Sequence, residues 1–248
     1  MNRLLEELTA ASRVRPIAAA SGDSSIETGP SLAAALRGRA RLSLLAEFKR
    51  CSPSAPALAR EVDLRPQIAG YVAGGAAGLS ILTEPTRFGG SLDDLRQARA
   101  ACELPILRKD FLVRPEQVQE ARCAGASAVL LIVRCLPGGL LGEMVSACEG
   151  AGLEALVECH DESELERAVA FDHVLLGINN RDLDTLRIDR SNAARLARRL
   201  PEDRIVVAES GYENVDQLAE LLGLVDAVLI GSALMRGGSA ASFAEVRS

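Results

Sequence analysis

Eight short aliphatic runs recur from residue 42 onward: LSLLAEF (42–48), GLSILTE (78–84), PILRKD (105–110), SAVLLIV (127–133), LEALVEC (153–159), HVLLGIN (173–179), RIVVAES (204–210) and DAVLIGS (226–232). Between them lie segments with apolar residues at helical spacing, such as EQVQEARCAGA, ESELERAVA and ENVDQLAELLG, and several close on a glycine suited to a C-cap. A strand without polar alternation has to be covered on both faces, and strict strand-helix alternation makes each successive pair of runs a βαβ unit. Eight such units fit the α/β class as a closed (β/α)8 TIM barrel, a fold of about 250 residues. The alternative is an open doubly wound sheet. Against it, no G-x-G-x-x-G follows the first run, and charged residues end many runs rather than clustering at one switch point.

The chain reads as a single barrel domain over 1–248, with residues 1–40 as an N-terminal helical extension. Residues 1–20 form an amphipathic segment with Leu4, Leu5 and Leu8 on one face, followed by the polar breaker SGDSSIETGP. This part reads as an appendage to the barrel.

With 48% hydrophobic residues over 248 positions the chain can bury a large core. Its net charge of -6 comes from interleaved acidic and basic residues, with no basic block or aromatic series to engage nucleic acid. The expected partner is a small anionic molecule. The run AVLLIV at 128–133 is too short to span a membrane, and Glu6 and Glu7 stand where a signal peptide needs its apolar stretch, so a cytoplasmic location is expected. Six cysteines form no CxxC pair and His160 and His173 lie in no metal-ligand spacing, so neither metal nor cofactor is expected. The expected assembly is a monomer or weak homo-oligomer.

In a barrel of this type the active site is built from the C-terminal ends of the strands. Those ends carry Glu47 and Lys49, Thr83 and Glu84, Lys109 and Asp110, Glu158, Asn179 with Arg181 beyond it, Glu209 and Ser210, and Gly231 and Ser232. Glu47 and Lys49 are two apart and share a face, with Phe48 and Arg50 on the other. Of 28 basic residues only Lys49 and Lys109 are lysine, and both fall at strand ends. A guanidinium stays protonated at any working pH, whereas a desolvated ammonium can release its proton, as a general acid must. A charged residue at a strand end can also be no more than the point where the chain meets water. It is the convergence of Glu47, Lys49, Lys109, Glu158 and Asn179 on one mouth that points to chemistry.

The last two loops, ESGYEN and IGSALM, place Gly-Ser pairs before helices, where backbone N–H groups and a helix N-terminus suit an anion. Their position after the seventh and eighth runs is where barrels bind phosphate. Phe88 and Phe111, two of five phenylalanines in a chain without tryptophan, sit in mouth loops and could line a slot for an aromatic ring or serve as packing anchors.

Taken in order, AEFKRCSPS, LTEPTRFGGS, LRKDF, LLIV, LVECHDESEL, GINNRDL, AESGY and LIGSALM resemble the indole-3-glycerol phosphate synthase family across roughly residues 30–245. The resemblance implies a carboxy-lyase of tryptophan biosynthesis. Its phosphorylated substrate would be 1-(2-carboxyphenylamino)-1-deoxyribulose 5-phosphate, cyclised with loss of carbon dioxide and water. It further implies that Lys109 protonates the ketone oxygen during ring closure and that Glu158 is base or proton shuttle in the dehydration. Lys49, held by Glu47, would assist at the carboxylate or as a second acid. Asn179 would orient sugar hydroxyls, and Arg181 would meet the substrate carboxylate. Ser210, Gly211, Gly231 and Ser232 would hold the phosphate. Ser52, Pro53 and Ser54 of the first loop, Phe88, Phe111, Leu183 and Glu209 would complete the substrate site. Such chemistry uses no cofactor. The chain departs from the family at Ala55-Pro56, where SPSKG is common, at Thr86-Arg87, and in its N-terminal segment, a region that caps substrate in the family.

Other readings remain open on the sequence. Phosphoribosylanthranilate isomerase is also a phosphate-binding barrel, but it uses a cysteine where this chain has Glu47 and Lys49. A Schiff-base aldolase would use Lys109 or Lys49 as its amine. A non-catalytic binding paralogue would not need every charged strand end.

Overall fold

A computed structural model describes residues 3–18, 29–52, 62–244 and 246. Eight parallel strands close on themselves in chain order: β1 (Ser43–Phe48), β2 (Gly78–Leu82), β3 (Ile106–Lys109), β4 (Ala128–Ile132), β5 (Glu154–Cys159), β6 (Leu175–Asn179), β7 (Val206–Glu209) and β8 (Ala227–Ile230). β1 pairs with both β2 and β8, which removes the free edges of the sheet. Each of the eight expected runs contains one strand, one to three residues shorter than the run. Almost every strand residue is buried, as the absence of polar alternation requires.

The helices are α1 (Arg3–Val14), α2 (Leu32–Leu36), α3 (Leu64–Ala73), α4 (Leu92–Ala101), α5 (Pro115–Cys123), α6 (Leu140–Ala151), α7 (Glu162–Ala168), α8 (Ser191–Ala197), α9 (Ser232–Met235) and α10 (Ala240–Ala244). Their starts follow local chemistry. Ser91 caps α4 through the N–H of Asp94, Asp161 caps α7 through that of Glu164, and α5 opens on Pro115, which has no N–H to leave unpaired. Gly152, at φ 66°, ends α6 in the left-handed region. ENVDQLAELLG departs from the expected α-helix, since Val215–Leu221 winds as a 3-10 helix. Its buried leucines, 218 and 221, are three apart, a spacing that a helix of three residues per turn keeps on one face.

The N-terminal end of the barrel is plugged by α2. Its Leu32 and Leu36 are fully buried, and the carboxylate of Glu154 at the foot of β5 accepts from the N–H groups of Leu32 and Ala33. α1 crosses the opposite, C-terminal mouth. It is fastened there by Arg15 to Asp110 at 2.9 Å and by Gln117, which donates to Ser12. Far from being an appendage, α1 buries Leu5 and Leu8 against the barrel.

Candidate active site

A cleft opens at the C-terminal end of the barrel, and its walls include Glu47, Lys49, Ser52, Phe88, Lys109, Phe111, Glu158, Asn179, Arg181, Leu183, Glu209, Ser210, Gly211, Gly231 and Ser232. Every expected site residue that the structure describes lies in this one space. Pro53 and Ser54, and the divergent Ala55-Pro56, lie outside the described residues.

The floor is ionic. Lys109 Nζ donates to Glu158 Oε2 at 3.0 Å and to Glu209 Oε2 at 2.8 Å, and both carboxylates are buried. Burial opposes the ammonium charge, but Glu158, Glu209 and the more distant Glu47 outweigh it, so Lys109 holds its proton more tightly than an exposed lysine. The expectation that desolvation would loosen that proton is therefore corrected: the site buries the lysine among carboxylates rather than in an apolar pocket. Burial raises the Glu158 carboxyl, but Lys109 and His160 more than offset it and hold Glu158 well below the usual carboxylate range. Glu209 moves the other way, pushed up to about 7 by burial and by its neighbour Glu158.

Beside this cluster Lys49 Nζ lies 2.7 Å from Glu47 Oε1. A Cβ at position 231 would overlap Glu47 and crowd Lys49, and one at 177 would overlap Glu209. Gly177 and Gly231 are thus the room into which two catalytic-looking carboxylates fit. Gly177 was not singled out from the sequence, although a glycine inside an aliphatic strand is a recognised sign of close approach.

At the ends of β7 and β8 the chain turns sharply. Ser210 has φ 68° and Gly211 φ 92°, a left-handed pair, and Asn180 donates to the Ser210 carbonyl at 3.0 Å and to the Tyr212 hydroxyl at 2.8 Å. A Cβ at 211 would also press on Ile188 and Arg190. After β8, Gly231 leads directly into α9 at Ser232. Asn179 uses Oδ1 to accept from the N–H of Arg181 at 2.9 Å, and Arg181 donates through its guanidinium to the Leu186 carbonyl at 3.1 Å. Burial lowers the pKa of that guanidinium, with Glu47 and Glu213 opposing.

The remaining walls are apolar. Phe88 and Phe111 face each other with ring centroids 6.0 Å apart and planes tilted by 35°, an ordinary aromatic pair geometry. Leu183 adds to this side, while Leu4, Leu5 and Leu8 of α1 form a roof. Their shared face was legible in the sequence, and the family resemblance implied that this region caps substrate.

Some strand-end polar residues serve structure instead. Glu84 accepts from the N–H groups of Thr86, Arg87 and Phe88 and so folds its own loop. Thr83 donates to Asp110 at 2.7 Å within a buried group that includes Arg108. Arg50 turns away from the cleft, as expected, and pairs in bidentate fashion with Asp94 of α4.

One residue set aside on the sequence stands directly behind the floor. His160, two residues after Glu158, is buried, with Nε2 3.3 Å from Glu158 Oε1 and Nδ1 2.9 Å from Glu164 Oε2. Burial disfavours its charge, but the two carboxylates outweigh that and push the imidazole up to about 9. Among the described residues no three His, Cys, Asp or Glu side chains are grouped to hold a metal ion.

Comparison with known proteins shows the family. The family model for indole-3-glycerol phosphate synthase matches residues 3–246. An indole-3-glycerol phosphate synthase of Nocardioides sp. is 50% identical over 197 residues, 79% of this chain and 76% of its own. One of Deinococcus radiodurans is 48% identical over 208 residues, 83% and 77% of the two chains. Among solved structures, tryptophan synthase subunit alpha of Legionella pneumophila superposes with a TM-score of 0.55 at 17% identity, covering 78% of this chain and 82% of that one. Thiamine phosphate pyrophosphorylase of Pyrococcus furiosus gives 0.58 at 18%, covering 84% and 94%. These two likenesses concern the fold alone.

Proposed function

The chain belongs to the indole-3-glycerol phosphate synthase family, and from that membership we propose how its own residues carry out the ring closure, decarboxylation and dehydration of 1-(2-carboxyphenylamino)-1-deoxyribulose 5-phosphate. The observation that carries the proposal is a charged ammonium, Lys109, fixed between two buried carboxylates at the floor of a cleft with an aromatic wall.

Phosphate binds at Ser210, Gly211, Gly231 and Ser232, and the anthranilate ring lies along Phe88, Phe111 and Leu183, with Ser52, Pro53 and Ser54 as the first loop's candidates for further substrate contacts. The ring carbon bearing the carboxylate attacks the ketone carbon while Lys109 gives its proton to the ketone oxygen, so one C–C bond forms and the oxygen becomes a hydroxyl. The tight hold on that proton suits its acceptor, because the developing alkoxide is a stronger base than an amine. The carboxylate then leaves as carbon dioxide, and its bonding electrons restore the aromatic ring.

In the last step the hydroxyl departs as water. Lys49, paired with Glu47, is the second ammonium on hand to protonate it, and Glu158 removes the proton from the adjacent carbon. Asn179 orients the sugar hydroxyls, Arg181 meets the substrate carboxylate before it leaves, and Glu209 sets the charge around Lys109. Fixed charges already oriented in the cleft stabilise this sequence more than water, which would have to reorganise, could. A Schiff-base aldolase would need Lys109 as a neutral amine, which its surrounding carboxylates oppose.

The finer reading is of a cytoplasmic enzyme working as a monomer or weak homo-oligomer. The location is supported by six free thiols, three of them buried, which suit a reducing compartment. No helix among the described residues is long and apolar enough to cross a membrane. The test is to mix the purified protein with the carboxyphenylamino sugar phosphate and follow the rise of indole fluorescence without added metal. No signal at micromolar protein would sink the proposal.

A further inference from the structure

Glu158 has a cationic or cationisable group within ion-pair distance of each of its oxygens, although His160 Nε2 makes no hydrogen bond of normal geometry. Lys109 occupies Oε2 at 3.0 Å, and His160 Nε2 stands 3.3 Å from Oε1 on the side away from the cleft. The His160 ring is itself fixed. Its Nδ1 lies 2.9 Å from Glu164 Oε2, its backbone N–H donates to the same oxygen, and its carbonyl accepts from Asn192 at 3.0 Å. Glu164 Oε1 is in turn held by Arg134 Nε at 2.6 Å, and the Arg134 guanidinium lies within 3.7 Å of Asp161, Asp182 and Asp184. The result is a row of alternating charge, Lys109, Glu158, His160, Glu164, Arg134, running from the cleft floor to the outside of the barrel.

The ring closure described above uses up the charge at one end of this row. Once Lys109 has passed its proton to the substrate oxygen, Glu158 and Glu209 are two buried carboxylates facing a neutral amine. Like charges so placed draw in a proton, and a protonated Glu158 is useless as a base. An imidazolium on the other oxygen of Glu158 is not spent in that step.

We propose that His160 is a positioning residue for Glu158, holding that carboxylate ionised and aimed at the cleft while Lys109 is without its proton, and that Glu164 holds His160 in that state. The inference rests on Glu158 serving as the base, so its test has to separate the two readings.

The chain contains only two histidines, His160 and His173, so ring resonances of histidine-labelled protein can be assigned with a single His173→Gln variant. The charged groups that face His160 are Glu158 from β5, Glu164 and Asp161 from the start of α7, and Arg134 after β4. Across pH 6 to 10 the His160 ring is expected to stay charged well beyond the ordinary histidine value of about 6.5, and Glu158→Gln is expected to lower its midpoint by at least one pH unit. In steady-state assays His160→Asn is expected to lower kcat at least tenfold with KM changed less than twofold, and Glu164→Gln to lower kcat in the same sense. A ring that titrates near 6.5, or one indifferent to Glu158→Gln, overturns the proposal; so does a folded His160→Asn protein with kcat within twofold of wild type. Should His160→Asn fail to fold, the ring titration and Glu164→Gln decide. Wild type inactive on the sugar phosphate would instead sink the reading of the reaction, with the ring titration still deciding whether His160 and Glu158 are paired.

Discussion

Lys109 lies 2.8 Å from Glu209 Oε2, while the other oxygen of that carboxylate, Oε1, is buried without a hydrogen-bond partner among the described residues. Burial, helped by the neighbouring Glu158 and opposed by Lys109, pushes Glu209 up to about 7 from an ordinary 4.5. Its contribution to stability is fully present below the unfolded value and is lost as pH rises through 7, because the unfolded chain releases that proton first. Each pH unit in that window costs up to about 1.4 kcal/mol. Urea unfolding at pH 5, 6, 7 and 8 is expected to show this fall in wild type and a flatter profile in Glu209→Gln. Parallel profiles would assign the proton elsewhere.

Replacing Lys109 with methionine removes the shared cation from Glu158 and Glu209. Turnover is expected to fall at least a thousandfold, about 4 kcal/mol of lost transition-state stabilisation, with substrate binding still measurable by calorimetry. The variant should also be more stable at pH 5 than at pH 8, since its two unpaired carboxylates can then take up protons. A fully active Lys109→Met protein would show that the acid has been misassigned.

Gly177→Ala would set a methyl group into the space of the Glu209 carboxylate, with the Glu158 backbone on its other side. A loss of kcat of about tenfold or more is expected, as misplacing a reacting group by about 1 Å can cost a hundredfold. Wild-type kcat in a crystal structure with Glu209 unmoved would contradict the packing described here.

Leu5 and Leu8 of α1 roof the cleft while the barrel closes without them. The double variant Leu5→Ser/Leu8→Ser is expected to raise KM about tenfold and change kcat much less, with the main melting transition retained. An unchanged KM would mean that α1 does not close over substrate.

The barrel was legible because each strand is a short aliphatic run and each crossover has helical spacing, a pattern that local sequence states directly. The site was legible wherever one strand end carried its own signal, as Glu47 and Lys49 do by sharing a face. What could not be read was pairing across strands. Thr83 and Glu84 look like mouth residues, yet one serves a buried arginine cluster and the other folds its own loop. Lys109 was expected to have a loosened proton, because the sequence shows a buried lysine but not the two carboxylates brought to it from 49 and 100 residues away. His160 was passed over for lacking metal-ligand spacing, although it is only two residues from Glu158, one past the end of β5.

The scarcity of lysine provides the sharpest test. Arginine at position 109 would keep a positive charge between Glu158 and Glu209 but could not surrender a proton. The measurement is kcat of Lys109→Arg with the carboxyphenylamino sugar phosphate, alongside its affinity for the same compound. If Lys109 is the acid of ring closure, kcat falls at least a thousandfold while affinity stays within tenfold of wild type. A kcat within tenfold of wild type would mean that position 109 supplies only charge, and that the proton comes from another group.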